Sequence, residues 1–180
     1  MTATTVQHSS VSGLVSSPRG VRPLGEDASV LHQIKVSYPA LTTNIDETGD
    51  IILLTPLPAT AKISSIKVFN DDLDGNATPA LAVDVGLYKM THDGTVTVLD
   101  ADAYASAITT LQAANLTGVE VAFESTVKDI NNADMTKRVF EDAGLSAVPN
   151  DGFIVLGLTV TTGAATAAAG DVMVHVNYTM

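Results

Sequence analysis

The chain has 180 residues and a net charge of −11, from 20 acidic and nine basic side chains. Its length suits one domain with an appendage, and the acidic balance argues against a nucleic-acid partner, because phosphate contacts require Lys and Arg. The absence of cysteine excludes disulfides and thiolate metal sites. No segment approaches the roughly 18 apolar residues of a membrane span, so we expect no membrane partner. Since 46% of residues are hydrophobic and only 4% aromatic, we predict a core of Ala, Val, Ile and Leu.

The first 29 residues differ in composition from the rest and predict an extended N-terminal arm. They are rich in Ser, Thr, Gly, Val and Pro and show no hydrophobic period. They contain Arg19 and Arg22, and no carboxylate precedes Glu26. We interpret residues 1–29 as a weakly cationic arm that becomes ordered on a partner, and residues 30–180 as the folded body. The alternative is a passive terminal tail.

The arm combines cationic and apolar side chains that suit an acidic partner surface. An arginine guanidinium can pair with a carboxylate through two hydrogen bonds, and apolar side chains can fill shallow pockets. Prolines reduce the entropy that the arm loses on ordering. The predicted contact residues are Val11, Leu14, Val15, Arg19, Val21, Arg22 and Leu24.

Alternating apolar residues predict several strands between residues 30 and 98. A tight turn signal, His-Asp-Gly at 92–94, precedes the last of them. Pro39 is expected to close the first strand. The predicted strands are 30–37, 50–54, 61–69, 80–90 and one that contains Val96 and Val98.

Two segments in the middle of the chain show helical spacing. Residues 100–112 predict a helix that Asp100 or Asp102 caps, and residues 133–143 predict a second short helix that ends at Gly144. Between them, residues 119–124 return to a strand pattern.

The C-terminal segment predicts a β-hairpin. Residues 152–162 and 171–180 both alternate, and the small residues 163–170 between them suggest a flexible tip. Val172, Val174 and Val176 are expected to face the core. The strand at 152–162 is apolar on both faces, which predicts a central strand covered on both sides.

About eight strands and one or two short helices predict an all-β fold, either a β-sandwich or a jelly-roll-like barrel, with the extended N-terminal arm attached.

The sequence offers little for catalysis or metal binding. Residues 70–75 resemble the first half of a calcium loop, but the twelfth position is Leu81, where such a loop needs a bidentate Glu. We therefore expect a polar turn, with a looser site at Asp71, Asp72 and Asp74 as the alternative. The four histidines, His8, His32, His92 and His175, lack metal-ligand spacing, and no nucleophile elbow is present. We expect no enzyme activity, no metal and no cofactor.

The order of these segments resembles the small virion structural proteins of tailed bacteriophages, of the head decoration or cement type. The likeness covers residues 50–180. It is carried by LPATAKISSIKV at 57–68, AVDVGLY at 82–88, VLDADAY at 98–104, GFIVL at 152–156 and GDVMVHVNY at 170–178.

The resemblance implies a β-rich body on the outer surface of a capsid, bound to the major capsid protein and stabilising contacts between its subunits. It also implies a homo-oligomer, with a trimer favoured, and no catalytic residues. One alternative is another virion component of the neck, tail or fibre base. A second is a surface module that binds carbohydrate or calcium.

Overall fold

A computed structural model of the chain describes residues 30–91, 94–124, 127–128, 131–150 and 152–180. These residues form eight strands, two one-turn helices and two short 3-10 turns. The arm predicted over residues 1–29 lies outside the described residues. No helix in the described ranges is long and apolar enough to cross a membrane. The elements are β1 (His32–Ala40), a 3-10 turn (Thr42–Asn44), β2 (Ile51–Pro58), β3 (Lys62–Asn70), β4 (Ala82–Met90), β5 (Val96–Ile108), a 3-10 turn (Thr110–Gln112), β6 (Asn115–Glu120), α1 (Asn132–Met135), α2 (Val139–Asp142), β7 (Phe153–Thr162) and β8 (Gly170–Thr179).

The strands form two antiparallel four-stranded sheets. The first sheet has the order β1-β8-β3-β6 and the second the order β2-β7-β4-β5. Pro39 lies within β1, and Pro56 and Pro58 lie within β2. Both strands are at sheet edges, where a residue without an N–H group costs no ladder hydrogen bond. The expectation that Pro39 closes the first strand is wrong, because β1 continues to Ala40.

One hydrophobic core lies between the two sheets. Val172, Val174 and Val176 of β8 are fully buried, as their alternation predicted. From the second sheet, Leu156 and Leu158 of β7 join the same core. The all-β prediction is confirmed, and of its two alternatives the structure has the sandwich, because the two sheets remain separate rather than closing into a barrel.

The predicted C-terminal hairpin is wrong. β7 lies in the second sheet and β8 in the first, so residues 163–169 cross from one sheet to the other. Most connections in the described chain change sheet in this way, and only β4 and β5 are consecutive strands paired as a hairpin. The alternation of apolar residues shows which face of each strand is buried. It does not distinguish a hairpin from a crossover, because both connections bury the same faces.

The predicted helix at residues 100–112 is also wrong, because most of it belongs to β5. The pairing of β5 with β4 shifts between Val85 and Leu87, whose partners are Ala105 and Asp100. The extra residues bulge over Gly86, where an added Cβ would lie 2.1 Å from the Ala101 carbonyl oxygen. Pairing with β4 overrides the weak helical preference of this alanine-rich segment.

The second predicted helix is present only as two single turns, α1 and α2. Gly144 follows them with a φ of +69°, as the predicted helix end required. The helix is interrupted because the N–H groups of Val139 and Phe140 donate to the carbonyls of Ala61 and Ala59, at 2.9 and 3.0 Å. These amides join the loop between β2 and β3 instead of extending a helical ladder.

Asp74 connects two crossovers between the sheets. It follows β3 in the connection to β4, and its side chain is only 1% exposed. Its Oδ2 accepts hydrogen bonds from the N–H groups of Ala80 (2.7 Å), Leu81 (3.0 Å) and Ala165 (3.0 Å). Its Oδ1 accepts from the N–H of Thr166 at 2.9 Å. The β7–β8 connection is therefore hydrogen-bonded to the β3–β4 connection, and the flexible tip expected at residues 163–170 is not found.

The four donors also set the charge of Asp74. Burial by itself raises the pKa of this carboxyl, but the N–H donors outweigh that effect and lower the pKa from 3.8 to about 2. A carboxyl whose pKa is lower in the folded than in the unfolded state stabilises the fold above its unfolded pKa. That stabilisation is lost as the pH falls through the folded pKa.

We predict that Asp74→Asn lowers the free energy of unfolding by about 2–4 kcal/mol at pH 7, because an amide group would face at least one N–H donor. The difference in free energy of unfolding between wild type and variant should narrow as the pH falls from about 4 to about 2. Chemical denaturation at each pH measures it. Asp72→Asn is the matched control, since Asp72 is exposed and accepts the N–H of Asp74 at 3.2 Å. A difference that stays constant down to pH 2 would contradict a role for the Asp74 charge.

Candidate functional site

The outer face of the second sheet carries two adjacent rows of apolar side chains. Alternation along β7 directs Ile154 and Leu156 into the core and leaves Phe153 and Val155 on the outside. Strand register places residues of β2, β4 and β5 beside these two. We call this surface the apolar face: Pro56, Pro58, Tyr88, Met90, Val96, Val98, Phe153 and Val155.

Much of the apolar face is open to solvent. Phe153 is 55% exposed, Met90 52% and Val98 47%. Tyr88 is the exception, because its ring lies over Gly157, where an added Cβ would be 2.9 Å from Tyr88 Cε2. The Tyr88 hydroxyl shares a hydrogen bond with the Thr159 side chain. Apolar residues grouped on a protein surface are typical of an interaction site, and the seven that surround buried Tyr88 carry no charge.

Sequence reasoning found part of this surface and misinterpreted it. The prediction that β7 is a central strand is confirmed, since it lies between β2 and β4. The prediction that both of its faces are covered is wrong for the single chain, because Phe153 is exposed. The apolar residues on both faces of β7 were the available signal, and they mark a surface that another molecule can cover.

A pocket of about 240 Å³ lies beside β5 and the two short helices, and its lining is mostly acidic. At its inner end the Lys128 ammonium contacts Asp142 Oδ2 at 2.5 Å, and both side chains are almost fully buried. The Tyr104 hydroxyl donates to the same oxygen at 3.1 Å. The lining residues are Asp100, Asp102, Ala103, Val127, Lys128, Asp134, Lys137, Glu141 and Asp142.

Burial controls the protonation of this cluster. It lowers the pKa of Lys128 and raises that of Asp142, and in each case the effect of burial exceeds that of the partner. Burial next to Asp142 also raises the pKa of Tyr104 well above its usual value, so this hydroxyl stays neutral and donates. Lys128 and Tyr104 both donate to one carboxylate, which connects α2 to β5 and the 127–128 segment.

The carboxylates of the calcium-like loop are bonded to backbone amides. Asp74 accepts the four N–H groups described above, and Asp71 Oδ2 accepts the N–H of Asp171 at 2.8 Å. Asp72 accepts the N–H of Asp74. Donors that point at a carboxylate suit an anion and not an added cation, so the structure favours the predicted polar turn over a calcium site.

The remaining predicted residues are scattered. His32 stacks on Tyr178 with ring centroids 5.3 Å apart, and His175 packs against Phe69 at 4.5 Å. His8 and His92 lie outside the described residues, as do all seven predicted contact residues of the arm. Over the described ranges, no group of three or more His, Asp or Glu side chains is arranged to hold a metal ion.

Comparison with known structures finds this fold in phage capsids. One neighbour, from the cyanophage Pam1 capsid asymmetric unit, has a TM-score of 0.59 and 22% identity, covering 92% of this chain and 95% of its own. Another, from the capsid of Ralstonia phage GP4, has a TM-score of 0.60 and 20% identity, covering 88% and 89%. No protein-family model and no curated protein matches the sequence. At these identities the likeness shows a shared fold over nearly the whole chain.

The buried Lys128–Asp142 pair gives a test of the pocket's architecture. We predict that Asp142→Asn lowers the free energy of unfolding by about 3 kcal/mol, because it leaves the Lys128 charge buried without a partner. The double variant Lys128→Met/Asp142→Asn should recover most of that loss, since no charge then remains and Tyr104 keeps an acceptor.

Asp134→Asn is the matched control in the same denaturation experiment. Asp134 pairs with Lys137 at 2.8 Å, but the Lys137 side chain is 48% exposed. Loss of the Asp134–Lys137 pair should lower the free energy of unfolding by less than about 1 kcal/mol. If Asp142→Asn and Asp134→Asn cost the same, the Lys128–Asp142 pair is not buried in solution.

Proposed function

We propose that the chain is a structural protein of a tailed-phage virion and, within the virion, a decoration or cement protein on the outer surface of the head. The observation that carries the proposal is the shared fold with chains of two phage capsids, over 92% and 88% of this chain. The sequence resemblance to decoration proteins supports the finer assignment. On this proposal the partners are the major capsid protein and further copies of the chain.

We also propose that the chain is not an enzyme. The chemistry of the acidic pocket supports this part, because Lys128 and Tyr104 both donate to Asp142. An activated nucleophile needs a base that accepts its proton, whereas here the lysine is paired with a carboxylate and the tyrosine is neutral. A cement protein instead needs broad, repeated contact surfaces, and the apolar face is a surface of that kind.

The direct experiment adds purified protein to capsids that lack it and measures bound protein by sedimentation and electron microscopy. The expected result is saturable binding at a copy number set by the capsid lattice. Binding at only a few sites per particle would favour the neck, tail or fibre-base alternative. No binding to any part of the virion would refute the proposal.

The arm supplies the matched variants for this experiment. We predict that deleting residues 1–29 leaves the melting temperature nearly unchanged but sharply reduces capsid binding, because the segment has no apolar period to contribute to a core. Arg19→Ala/Arg22→Ala should weaken binding by a smaller, salt-sensitive amount of about 1–3 kcal/mol. If the truncated protein binds as tightly as the full chain, the body and not the arm is the anchor.

The apolar face is proposed as the contact between copies. Contacts between copies of one chain are more apolar than other interfaces, and the two rows carry no charge that would favour a charged partner. On this basis the protein is a homo-oligomer, with the trimer favoured by the resemblance.

We predict that Phe153→Asp/Met90→Asp raises the dissociation constant of the oligomer at least tenfold, because each buried apolar side chain contributes about 1.5–3 kcal/mol. Light scattering over a concentration series measures the effect. Leu116→Asp is the control, since Leu116 is 80% exposed on β6 of the other sheet. A wild-type protein that stays monomeric at the highest concentration would contradict this contact in solution.

A further inference from the structure

The outer face of the first sheet carries a row of three basic side chains on three neighbouring strands. Lys35 of β1 and Lys67 of β3 are both register partners of His175 of β8. The two lysines are exposed, and His175 is half-buried between them. We call these three residues the basic stripe. They are far apart in the sequence and become neighbours only through the strand order β1-β8-β3.

The two lysines of the stripe are unusual in so acidic a chain. A protein with a net charge of −11 has many carboxylates that could pair with lysines. Within the described part of the chain, however, neither Lys35 nor Lys67 joins an ion pair.

The carboxylate that register places nearest to the stripe is already occupied. Glu120 of β6 is the partner of Lys67, but its oxygens accept from the Ser65 hydroxyl at 2.5 Å and from the N–H groups of Ile66 and Ala122. Two donors of β3 and the N–H of Ala122 hold the Glu120 carboxylate beside β3. Glu120 forms no ion pair with Lys67, whose side chain is exposed.

Uncharged rows flank the stripe on both sides. One row contains Gln33, Asn177 and Ser65, and the other contains Ser37, Met173 and Phe69. The Phe69 ring contacts His175 and lies over Gly118, where an added Cβ would be 2.5 Å from Phe69 Cζ. The two lysines and His175 thus lie in one row between rows that carry no charge.

We propose that the basic stripe docks a carboxylate-bearing surface of a partner protein. Charge complementarity carries the proposal, because Lys128 and Lys137 are already paired with Asp142 and Asp134, while Lys35 and Lys67 are exposed on either side of His175. The inference extends the proposed function by specifying that the capsid partner contacts the stripe through carboxylates. It rests on the proposed function only for the identity of that partner. It also gives the acidic body one face that an acidic partner does not repel.

His175 makes the docking sensitive to pH. Partial burial and the charges of Lys35 and Lys67 lower its pKa, so it is neutral in the free protein at neutral pH. The charged groups on neighbouring positions are these two lysines, Glu120 of β6 and Asp171 at the start of β8. A bound carboxylate favours the protonated ring, so binding takes up a proton and strengthens as the pH falls from about 7.5 to about 6.

The test measures binding of the full-length protein to a fluorescent decaglutamate peptide at low ionic strength, by anisotropy. Lys35→Gln/Lys67→Gln should weaken binding roughly three- to tenfold. Lys89→Gln/Arg138→Gln, which removes the same number of charges from exposed positions outside the stripe, should change it less than about twofold. Equal effects of the two substitutions would overturn the proposal. Tighter binding of a thymidine decanucleotide than of the peptide would also overturn it, in favour of a phosphate site.

The same assay tests His175 over the pH range in which the glutamates stay ionised. Wild-type affinity should rise as the pH falls to about 6, and His175→Asn should abolish that rise. An unchanged pH profile in the variant would remove His175 from the docking surface. Retained folding of each variant is checked by its melting temperature.

Capsid binding separates this inference from the proposed function. If wild-type protein adds to capsids and Lys35→Gln/Lys67→Gln adds equally well, the stripe inference fails and the function stands. If wild-type protein binds the peptide through the stripe but adds to no part of the virion, the proposed function fails and the carboxylate chemistry of the stripe stands.

Discussion

The sandwich depends on the hydrogen bonds that the Asp74 carboxylate accepts at one end of the two sheets. The β3–β4 and β7–β8 connections both change sheet there, and each supplies two backbone N–H groups to this carboxylate. A buried amide without an acceptor costs about 1–3 kcal/mol, and Asp74 accepts the N–H of buried Leu81 together with three others. Burial alone would make the charge unfavourable, but the donors hold the carboxylate ionised. A single acidic residue thereby joins segments about 90 positions apart in the sequence.

The sequence predicted the strands well and their pairing poorly. Alternation identified the buried valines of β8 and the central position of β7, because burial of one face imposes period two on the residues themselves. It could not show that β7 and β8 belong to different sheets, since a run of small residues permits either a hairpin or a crossover. The helix expected at 100–112 failed for a related reason. Its alanines favour a helix, but intrinsic propensity is weaker than tertiary pairing, and the absence of a side chain at Gly86 on β4 lets β5 bulge across it.

The candidate surfaces were hard to predict for the same reason, because the sequence does not show which strands pair. Asp74 belonged to a recognisable loop pattern, but two of the amides that it binds come from a distant crossover. The apolar face was visible only as unexplained apolar residues on β7, because Met90 and Val98 join it through register. The basic stripe had no sequence signal, since Lys35, Lys67 and His175 meet only across strand order. Side chains that act together on a sheet surface become predictable once the pairing is known.

The two surfaces should respond to salt in opposite ways, and this follows from the acidity of the chain. Copies that each carry a net charge of −11 repel one another, and at physiological ionic strength that repulsion is screened beyond about 8 Å. Salt therefore favours contact through the uncharged apolar face. It weakens the attraction of Lys35 and Lys67 for carboxylates, because that attraction is electrostatic and exposed. The two proposed contacts, one between copies and one with a carboxylate-bearing partner, thus draw on different forces, so neither surface is expected to substitute for the other as the salt concentration changes.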